Sequence, residues 1–293
     1  MTGGGGTLVG PNYQFTLNQP PGTVNTTGVF SGLPAGNYTV TVRDDNNCTR
    51  VSNTVTVTQP PVLTIFASVT SNYNGAKISC AGANDAQLTG VANGGNGGYT
   101  FELIQDPLNT TGNADGSYEG LGPGNYSIRV TDSGGCQATS ALVNINEPAP
   151  IVPSGFVSGA ISCFGGSDGQ ITISASGGTG AYTYQQMVPA GPTNGTGIFS
   201  GLSDGTYTFQ VRDLNLCSAN INITISQPPL LTASAAVTSN YNGSQISCNG
   251  VSDGVITVTA SGGTGTLQYK FDQFEFTNTT GQFTGVFTGV PAG

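Results

Sequence analysis

Apolar residues alternate with polar ones in a stretch that occurs three times along the chain. The third copy, GLSDGTYTFQVRD, places Tyr207, Phe209 and Val211 at every second position. A period of two is typical of a β-strand with one buried face. Each copy predicts a short strand ending at its Leu, a Gly-bearing turn, and a second strand beginning at its Tyr. The copies lie at Gly32 to Asp44, Gly120 to Asp132 and Gly201 to Asp213.

Two sets of cysteines mark the period of the repeat. The hairpin cysteines follow the alternating strand after a short polar turn; they are Cys48, Cys136 and Cys217. The first-turn cysteines lie in turns such as ISCFGGSDG; they are Cys80, Cys163 and Cys248. Successive first-turn cysteines are 83 and 85 residues apart, and successive hairpin cysteines 88 and 81. A period this long indicates small domains in tandem rather than a thin solenoid.

Each period contains about seven short strand-like stretches with turn signals roughly every 8–12 residues. This pattern predicts an all-β chain of tandem immunoglobulin-like β-sandwich domains in an elongated array. The endings TVTVTQP, VNINEP and ITISQP mark domain exits, because proline cannot donate to a ladder and stiffens a linker. The predicted domains are a partial repeat lacking its first strands, two whole repeats, and a partial repeat lacking its last strands. Their ranges are 1–60, 61–149, 150–228 and 229–293.

The order of Leu, turn and Tyr resembles the arch at which an immunoglobulin-like chain passes from one sheet to the other. In that arch the Tyr hydroxyl bonds to the backbone a few residues upstream. The alternative is that these tyrosines are plain core aromatics, which is equally structural. The residues concerned are Tyr38, Tyr126 and Tyr207.

Charge is scarce, and this narrows the range of partners. Charged residues make up 7% of the chain, with 6 basic and 15 acidic residues and no His, against about 25% in typical domains. Without a basic cluster the chain cannot neutralise a phosphate backbone or an anionic membrane surface, so we expect no nucleic-acid partner. The longest apolar runs are strand-length and are broken by Thr and Ser, so we expect no membrane insertion. Without His, and with few Lys, it lacks groups that titrate or attack near neutral pH. We therefore predict no catalytic residues and no enzyme.

The cysteines recur in register with the repeat, and the chain has no His and no Cys-x-x-Cys pair. This pattern favours disulfides over a metal site. Disulfides in turn indicate an oxidising compartment. The simplest pairing lies within each whole repeat, Cys80 to Cys136 and Cys163 to Cys217. Its difficulty is that the first turn and the last hairpin of such a sandwich lie at opposite poles, about 25 Å apart. A rival pairing spans each domain boundary: Cys48 to Cys80, Cys136 to Cys163 and Cys217 to Cys248. Reduced cysteines are a further alternative.

Aspartates are the candidates for a metal site. Hard oxygen ligands at domain junctions could bind calcium, although Asp-Gly is ordinary turn chemistry and an Asp at a strand end commonly caps a hairpin. The weak calcium candidates are Asp85, Asp132, Asp168, Asp213 and Asp253, with Asp44 at an equivalent place. Segments such as GGTG at Gly177 to Gly180 resemble phosphate loops only superficially, because no helix follows them. We predict no cofactor.

The residues laid out so far resemble a known repeat. The motifs are CFGGSDGQITISASGGTGAYTY (Cys163 to Tyr184), GLPAGNYTVTVRDDNNC (Gly32 to Cys48) and the Q-P exits. Together they resemble the SprB-type repeat of giant cell-surface adhesins in gliding Bacteroidota, over nearly the whole chain. The resemblance implies type IX secretion to the cell surface, a filament of tandem immunoglobulin-like domains, and a role in adhesion or gliding motility. The second repeat departs from it by lacking the Asp-Gly of the first turn.

Two other functions fit the same residues. In a carbohydrate-binding array, exposed aromatics of the SNYNG loops, Tyr73 and Tyr241, would stack on surface glycans. In a self-polymerising extracellular subunit, the half-domains at the two ends would meet head to tail. Truncation of a longer chain explains those half-domains more simply. The start, MTGGGGTLVG, lacks the regions of a signal peptide, so a secretion signal is expected outside this stretch.

Overall fold

The computed structural model describes residues 12–19, 22–271 and 284–290 of the chain. Within these ranges the regular elements are all β-strands, in agreement with the predicted all-β class, and no helix there has the length and apolar character needed to cross a membrane. The strands are β1 (Gln14–Leu17), β2 (Thr23–Asn25), β3 (Gly36–Tyr38), β4 (Val40–Arg43), β5 (Thr49–Val51), β6 (Val55–Val57), β7 (Thr64–Val69), β8 (Ala86–Asn93), β9 (Thr100–Leu103), β10 (Ser117–Leu121), β11 (Gly124–Tyr126), β12 (Ile128–Thr131), β13 (Gln137–Thr139), β14 (Val143–Ile145), β15 (Val152–Gly159), β16 (Gly169–Ser176), β17 (Thr183–Val188), β18 (Thr193–Asn194), β19 (Ile198–Leu202), β20 (Gly205–Arg212), β21 (Ser218–Ile225), β22 (Thr232–Val237), β23 (Gly254–Ser261) and β24 (Val286–Val290).

The third repeat shows how the alternating pattern folds. Its first sheet has the order β15-β16-β19, and its second has the order β18-β17-β20-β21. All neighbouring strands are antiparallel, and β20 pairs with β21 from Gly205 opposite Ile225 to Arg212 opposite Ser218. Seven short strands in two antiparallel sheets form an immunoglobulin-like sandwich. The predicted fold class is therefore confirmed.

The core of this sandwich consists of the positions that alternate along its strands. Tyr207, Phe209 and Val211 are buried, as the period of two predicts. The ring centroids of Phe199 and Phe209 lie 4.6 Å apart. Burying each large apolar side chain stabilises the fold by about 1.5–3 kcal/mol. The buried cluster comprises Ile161, Ile171, Ile173, Tyr184, Phe199, Leu202, Tyr207, Phe209, Val211 and Ile225.

Related sheets occur in the other repeats. The first repeat has sheets β2-β1-β4-β5 and β3-β6. The second has β10-β8-β7, β13-β12-β9 and β11-β14. The described part of the fourth has β22-β23-β24, in the same order of roles as β15-β16-β19.

The chain divides into two compact units. One comprises Met1–Ser68, Leu88–Glu119 and Asn125–Val143, and the other comprises Val69–Gln87, Gly120–Gly124 and Asn144–Gly293. The third-repeat sandwich and the first turn of the second repeat both belong to the second unit. The four predicted domain ranges stay a prediction, and the two partial ones extend in part outside the described residues.

The predicted tyrosine arch is confirmed in two repeats. The Tyr38 hydroxyl donates to the carbonyl of Pro34 at 2.7 Å. The Tyr207 hydroxyl donates to the carbonyl of Ser203 at 2.9 Å. Both side chains are buried, so each contributes to the core and also fixes the turn that leads into its strand.

Candidate functional site: the disulfide-bonded turn and hairpin

Cys80 lies in the first turn of the second repeat, and two hydrogen bonds fix that turn. The N–H of Ser79 donates to Oδ1 of Asp85 at 3.1 Å. The N–H of Gly82 donates to Oε2 of Glu147 at 2.5 Å. Glu147 precedes the exit proline, so the end of the strand pattern holds the turn that carries the cysteine.

The third repeat makes the same two bonds. Ser162 N–H donates to Asp168 at 3.1 Å, and Gly165 N–H donates to Oε1 of Gln227 at 2.5 Å. Hydrogen bonds from the side chain and backbone of Ser162 hold the pKa of Asp168 below its usual value. Sequence reasoning used the prolines of the Q-P exits and missed the residue before them. The available signal was that a Gln or Glu always stands there.

Cys217 lies in the hairpin between β20 and β21, which is built around the carboxylate of Asp213. Only 3% of Asp213 is exposed. Its Oδ1 accepts the N–H groups of Asn215 at 2.9 Å and Cys217 at 3.0 Å. Its Oδ2 accepts the N–H and the hydroxyl of Thr179 at 2.9 and 3.0 Å. The carboxylate is therefore satisfied although buried, and it ties the hairpin to the Gly-rich loop.

The other hairpins are built in the same way. Oδ1 of Asp132 accepts the N–H groups of Gly134 and Cys136, both at 2.9 Å, and its Oδ2 accepts that of Asn96 at 2.8 Å. These donors, above all Asn96, hold the pKa of Asp132 below its usual value. Asp44 accepts the N–H of Cys48 at 2.8 Å. Each hairpin cysteine therefore sits at a fixed position relative to an aspartate.

A disulfide joins Cys80 to Cys217, with Cα atoms 5.7 Å apart. Asn215 lies beside it and donates to the carbonyls of Ser79 at 2.9 Å and Tyr73 at 3.2 Å. Oδ1 of Asn215 accepts a hydrogen bond from Asn74 at 2.6 Å. The bonded cysteines are 137 residues apart, and closing such a loop stabilises the fold by roughly 5 kcal/mol in the chain-entropy model.

This bond corrects the predicted pairing within each repeat. Cys163 precedes the start of β16, and Cys217 lies in the hairpin beyond the far end of that strand. Eight residues of β16 separate the two ends by about 27 Å, several times the Cα separation that a disulfide allows. The pairing of Cys80 with Cys136 is also wrong, because the Cys80 sulfur is already bonded to Cys217. The bond links cysteines of different repeats.

The rival pairing is wrong in direction. It joined each hairpin cysteine to the first-turn cysteine of the following repeat. In the structure the first-turn cysteine of the second repeat joins the hairpin cysteine of the third. The remaining cysteines, Cys48, Cys136, Cys163 and Cys248, are free and exposed.

The Gly-rich loops bind the proline linkers. Gly178 N–H donates to the carbonyl of Ala149 at 2.8 Å, and Gly95 and Gly263 make the equivalent bonds to Pro61 at 2.8 Å and Pro229 at 2.9 Å. The preceding glycine has no room for a side chain. A Cβ on Gly177, whose φ is +78°, would lie 2.0 Å from the carbonyl oxygen of Pro150. The glycine pair is required because the linker backbone passes directly over it.

The calcium candidates are separate turn aspartates. Asp85 and Asp168 lie in first turns, as does Asp253, which accepts the N–H of Ser247 at 3.1 Å. Hydrogen bonding from the Ser247 side chain is the main cause that lowers the pKa of Asp253. In the ranges that the structure describes, no three acidic, Cys or His side chains come together in a group that could hold a metal ion. The predicted lack of a cofactor stays a prediction.

The two SNYNG tyrosines differ in exposure. Tyr73 is half-buried, and its hydroxyl donates to the carbonyl of Asp85 at 2.9 Å. Burial raises the pKa of Tyr73. Tyr241 is 40% exposed, with its hydroxyl 3.3 Å from the carbonyl of Asp253. Tyr241 therefore offers more aromatic surface to a ligand than Tyr73.

Several solved structures are similar to the chain at low identity. The three N-terminal domains of the bacteriophage RB49 outer capsid protein Hoc share 13% identity, with a TM-score of 0.41 and 70% of each chain covered. The C-terminal fragment of intimin, in complex with the intimin-binding domain of Tir, shares 16% identity with a TM-score of 0.28. The match covers 67% of this chain and 59% of the intimin fragment. Cadherin domains 3–6 of protocadherin gamma B2 share 13% identity with a TM-score of 0.29, and the match covers 96% of this chain and 84% of the protocadherin chain.

Sequence comparison with a family model gives a more specific result. No curated protein matches the chain. The model of the SprB repeat matches it twice, at residues 160–188 and 240–273. Each match begins near a first-turn cysteine and runs through the strand and Gly-rich loop that follow it. These two stretches of the chain are therefore similar to the SprB repeat.

Proposed function

We propose that this chain is a structural and adhesive segment of a cell-surface filament, built of disulfide-stabilised immunoglobulin-like repeats, that mediates surface adhesion or gliding motility. The similarity to the SprB repeat supports this assignment. The observation that carries it is the Cys80–Cys217 bond, because a staple between consecutive repeats serves a chain that must transmit force. A disulfide also fits an extracellular location reached by type IX secretion.

The proposed mechanism is mechanical. Each linker is bonded to the Gly-rich loop that follows it. The first turns of the second and third repeats are each held by the residue before the exit proline. A pull along the chain therefore acts on hydrogen bonds and a disulfide before it reaches a core. With 7% charged residues, the surface offers few sites for nonspecific ionic contacts.

The proposed partners are neighbouring repeats of the same long chain, other filaments and surface glycans. We propose neither an enzymatic activity nor a resident cofactor. Nucleic acid is not among the proposed partners, because the net charge is −9 and basic residues are few.

The proposal is tested on cells that produce the protein. Fab fragments raised against the chain should label intact cells and reduce their attachment to glass under flow, or their movement across it. Fab fragments from pre-immune serum control for nonspecific effects. Labelling only after permeabilisation, or unchanged attachment and movement with labelled cells, would contradict the proposal.

A carbohydrate-binding array is the second candidate, and the exposure of Tyr241 favours it. An exposed aromatic ring can stack on a sugar. Binding to a glycan array that is lost in Tyr241→Ala and kept in Tyr73→Ala would support this candidate. Binding to no glycan at all would leave the filament role.

A further inference from the structure

The four exposed cysteines belong to the same two structural classes as the bonded pair. Cys163 lies in a first turn whose bonds from Ser162 to Asp168 and from Gly165 to Gln227 match those around Cys80. Cys248 lies in the turn fixed by Ser247 and Asp253. Cys163 and Cys248 therefore lie in turns held by the same Ser-to-Asp hydrogen bond as the turn that carries Cys80.

The hairpin class is equally uniform. In all three hairpins the aspartate N–H donates to the carbonyl of the cysteine, at 3.1 Å for Asp44 and Cys48, 3.0 Å for Asp132 and Cys136, and 3.1 Å for Asp213 and Cys217. The aspartate carboxylate accepts the cysteine N–H in return. Cys48 and Cys136 are therefore placed in their hairpins as Cys217 is.

The first turn of the third repeat already contacts the next sandwich. Ser162, beside Cys163, accepts a hydrogen bond on its carbonyl from the Thr264 hydroxyl at 3.2 Å. Ser79, beside Cys80, accepts one on its carbonyl from Asn215 of the bonded hairpin. Thr264 occupies the position in its GGTG loop that Thr179 occupies in the third repeat, where Thr179 contacts Asp213 of the hairpin. Cys163 thus faces the pole of the fourth sandwich at which a hairpin cysteine would lie.

We propose that the first-turn cysteine of each repeat and the hairpin cysteine of the following repeat form a general junction disulfide. Cys163 and Cys248 are then attachment points for the hairpin of a following repeat, and Cys48 and Cys136 for the first turn of a preceding one. Within the sequence, Cys80 and Cys217 are the one pair in which a first-turn cysteine is followed at about this distance by a hairpin cysteine. The partner of each free thiol is thus another repeat of this kind.

The chemistry needs a disulfide oxidant such as oxidised glutathione. One thiolate attacks the oxidant and releases one reduced thiol, and the partner thiolate then displaces a second. The two cysteines lose two protons and two electrons, and the oxidant becomes two thiols. The inference does not require adhesion, because it concerns only how repeats are joined.

The test completes the fourth sandwich. GVFTGVPAG at the end of the chain matches GVFSGLPAG, which ends at Gly36, so a copy of residues 37–60 is appended after Gly293. It supplies the last strands and one hairpin cysteine. Non-reducing peptide mapping at low pH, after oxidation with glutathione, should find that cysteine bonded to Cys163. Of seven cysteines, four would then be bonded and three would react with a thiol reagent, against five if only Cys80 and Cys217 are bonded.

Matched variants separate the outcomes. Cys163→Ser should leave the appended cysteine as a thiol, while Cys248→Ser should leave its bond to Cys163 intact. A bond from the appended cysteine to Cys248, or a free appended thiol in molecules that contain the Cys80–Cys217 bond, would overturn the proposal.

A second measurement does not depend on the appended strands. When the unextended chain is oxidised at high concentration, bonds between copies should join a first-turn cysteine to a hairpin cysteine. Disulfides between two first-turn cysteines or between two hairpin cysteines, formed as often as disulfides between the two classes, would contradict the proposal. The absence of any disulfide between copies would also contradict it. Either result leaves the Fab experiment on cells unaffected, so the two proposals fail separately.

Discussion

Leu216 has a backbone conformation that suits asparagine or glycine better than leucine. Its φ is 66°, while Asn47 and Gly135 occupy the equivalent hairpin position with φ of 68° and 81°. Its side chain is 74% exposed and contributes little packing. We expect Leu216→Asn to raise the free energy of unfolding by about 0.5–1 kcal/mol, because asparagine tolerates the left-handed region. Urea denaturation measures the change.

Leu214→Asn is the control for this substitution. Leu214 is also exposed, at 54%, and lies in the same hairpin without a positive φ. Its replacement should change stability by less than about 0.5 kcal/mol. An equal gain from both variants would show that polarity, rather than backbone strain, is responsible.

Asp132 should make stability depend on pH. Its pKa is lowered in the folded chain, so its stabilising contribution is complete above the unfolded pKa of about 3.9 and is lost as the pH falls through the lower folded pKa. Asp132→Asn should therefore be less stable than the natural chain at pH 7, with a deficit that shrinks toward pH 2.5. Urea midpoints at both pH values test this.

Exposed Asp45, which accepts one bond from Asn12, provides the control. Asp45→Asn should cost less stability at pH 7 than Asp132→Asn. A deficit in Asp132→Asn that is equal at both pH values would contradict a role for the charge.

At this scale the sequence predicted the core residues and missed the cross-links. Tyr207, Phe209 and Val211 follow from a period of two, which one strand is enough to reveal. The hydroxyl bond of Tyr207 followed from a local turn. The disulfide partner of Cys80 could not be predicted from local sequence, because it depends on which ends of two repeats are in contact.

Among the elements, the loop at Gly177 and Gly178 determines how the linker enters the third sandwich. We expect Gly177→Ala to lower the free energy of unfolding by at least about 2 kcal/mol. The Cβ would overlap the Pro150 carbonyl, and alanine would also have to adopt a left-handed φ. Thermal or urea unfolding measures the loss.

Gly180→Ala isolates the contribution of the backbone. Gly180 has φ of +80°, and a Cβ there would meet nothing within 4 Å. This variant should lose only about 1 kcal/mol. Equal losses from both variants would mean that contact with the linker is unimportant.

The sequence predicted elements better than the contacts between them. Alternation and turn residues locate β16, β20 and β21, because strand propensity and burial are local. The bond from Gly165 to Gln227 joins residues at opposite ends of a repeat. A Gln before a proline looks like linker composition until the structure shows where its amide oxygen lies.

For the whole molecule, the disulfide should limit how far the chain extends under force. The 137 residues between Cys80 and Cys217 correspond to about 450 Å of extended chain at roughly 3.3 Å per residue. When pulled from its ends, the oxidised chain should release about 450 Å less length than the reduced chain. Single-molecule force spectroscopy measures this difference.

Two variants bracket the result. Cys80→Ser should release the full length without reduction, and Cys163→Ser should behave like the natural chain. Full release from the oxidised natural chain would contradict the bond.

The order of the two bonded cysteines also sets the timing of maturation. Cys80 is made first and must wait until a further 137 residues have been added, roughly 7–27 s at ordinary rates of translation. During that interval its thiol has no native partner. The crosslink is completed only after the hairpin that carries Cys217 has also reached an oxidising compartment, so Cys80 travels as a thiol until then.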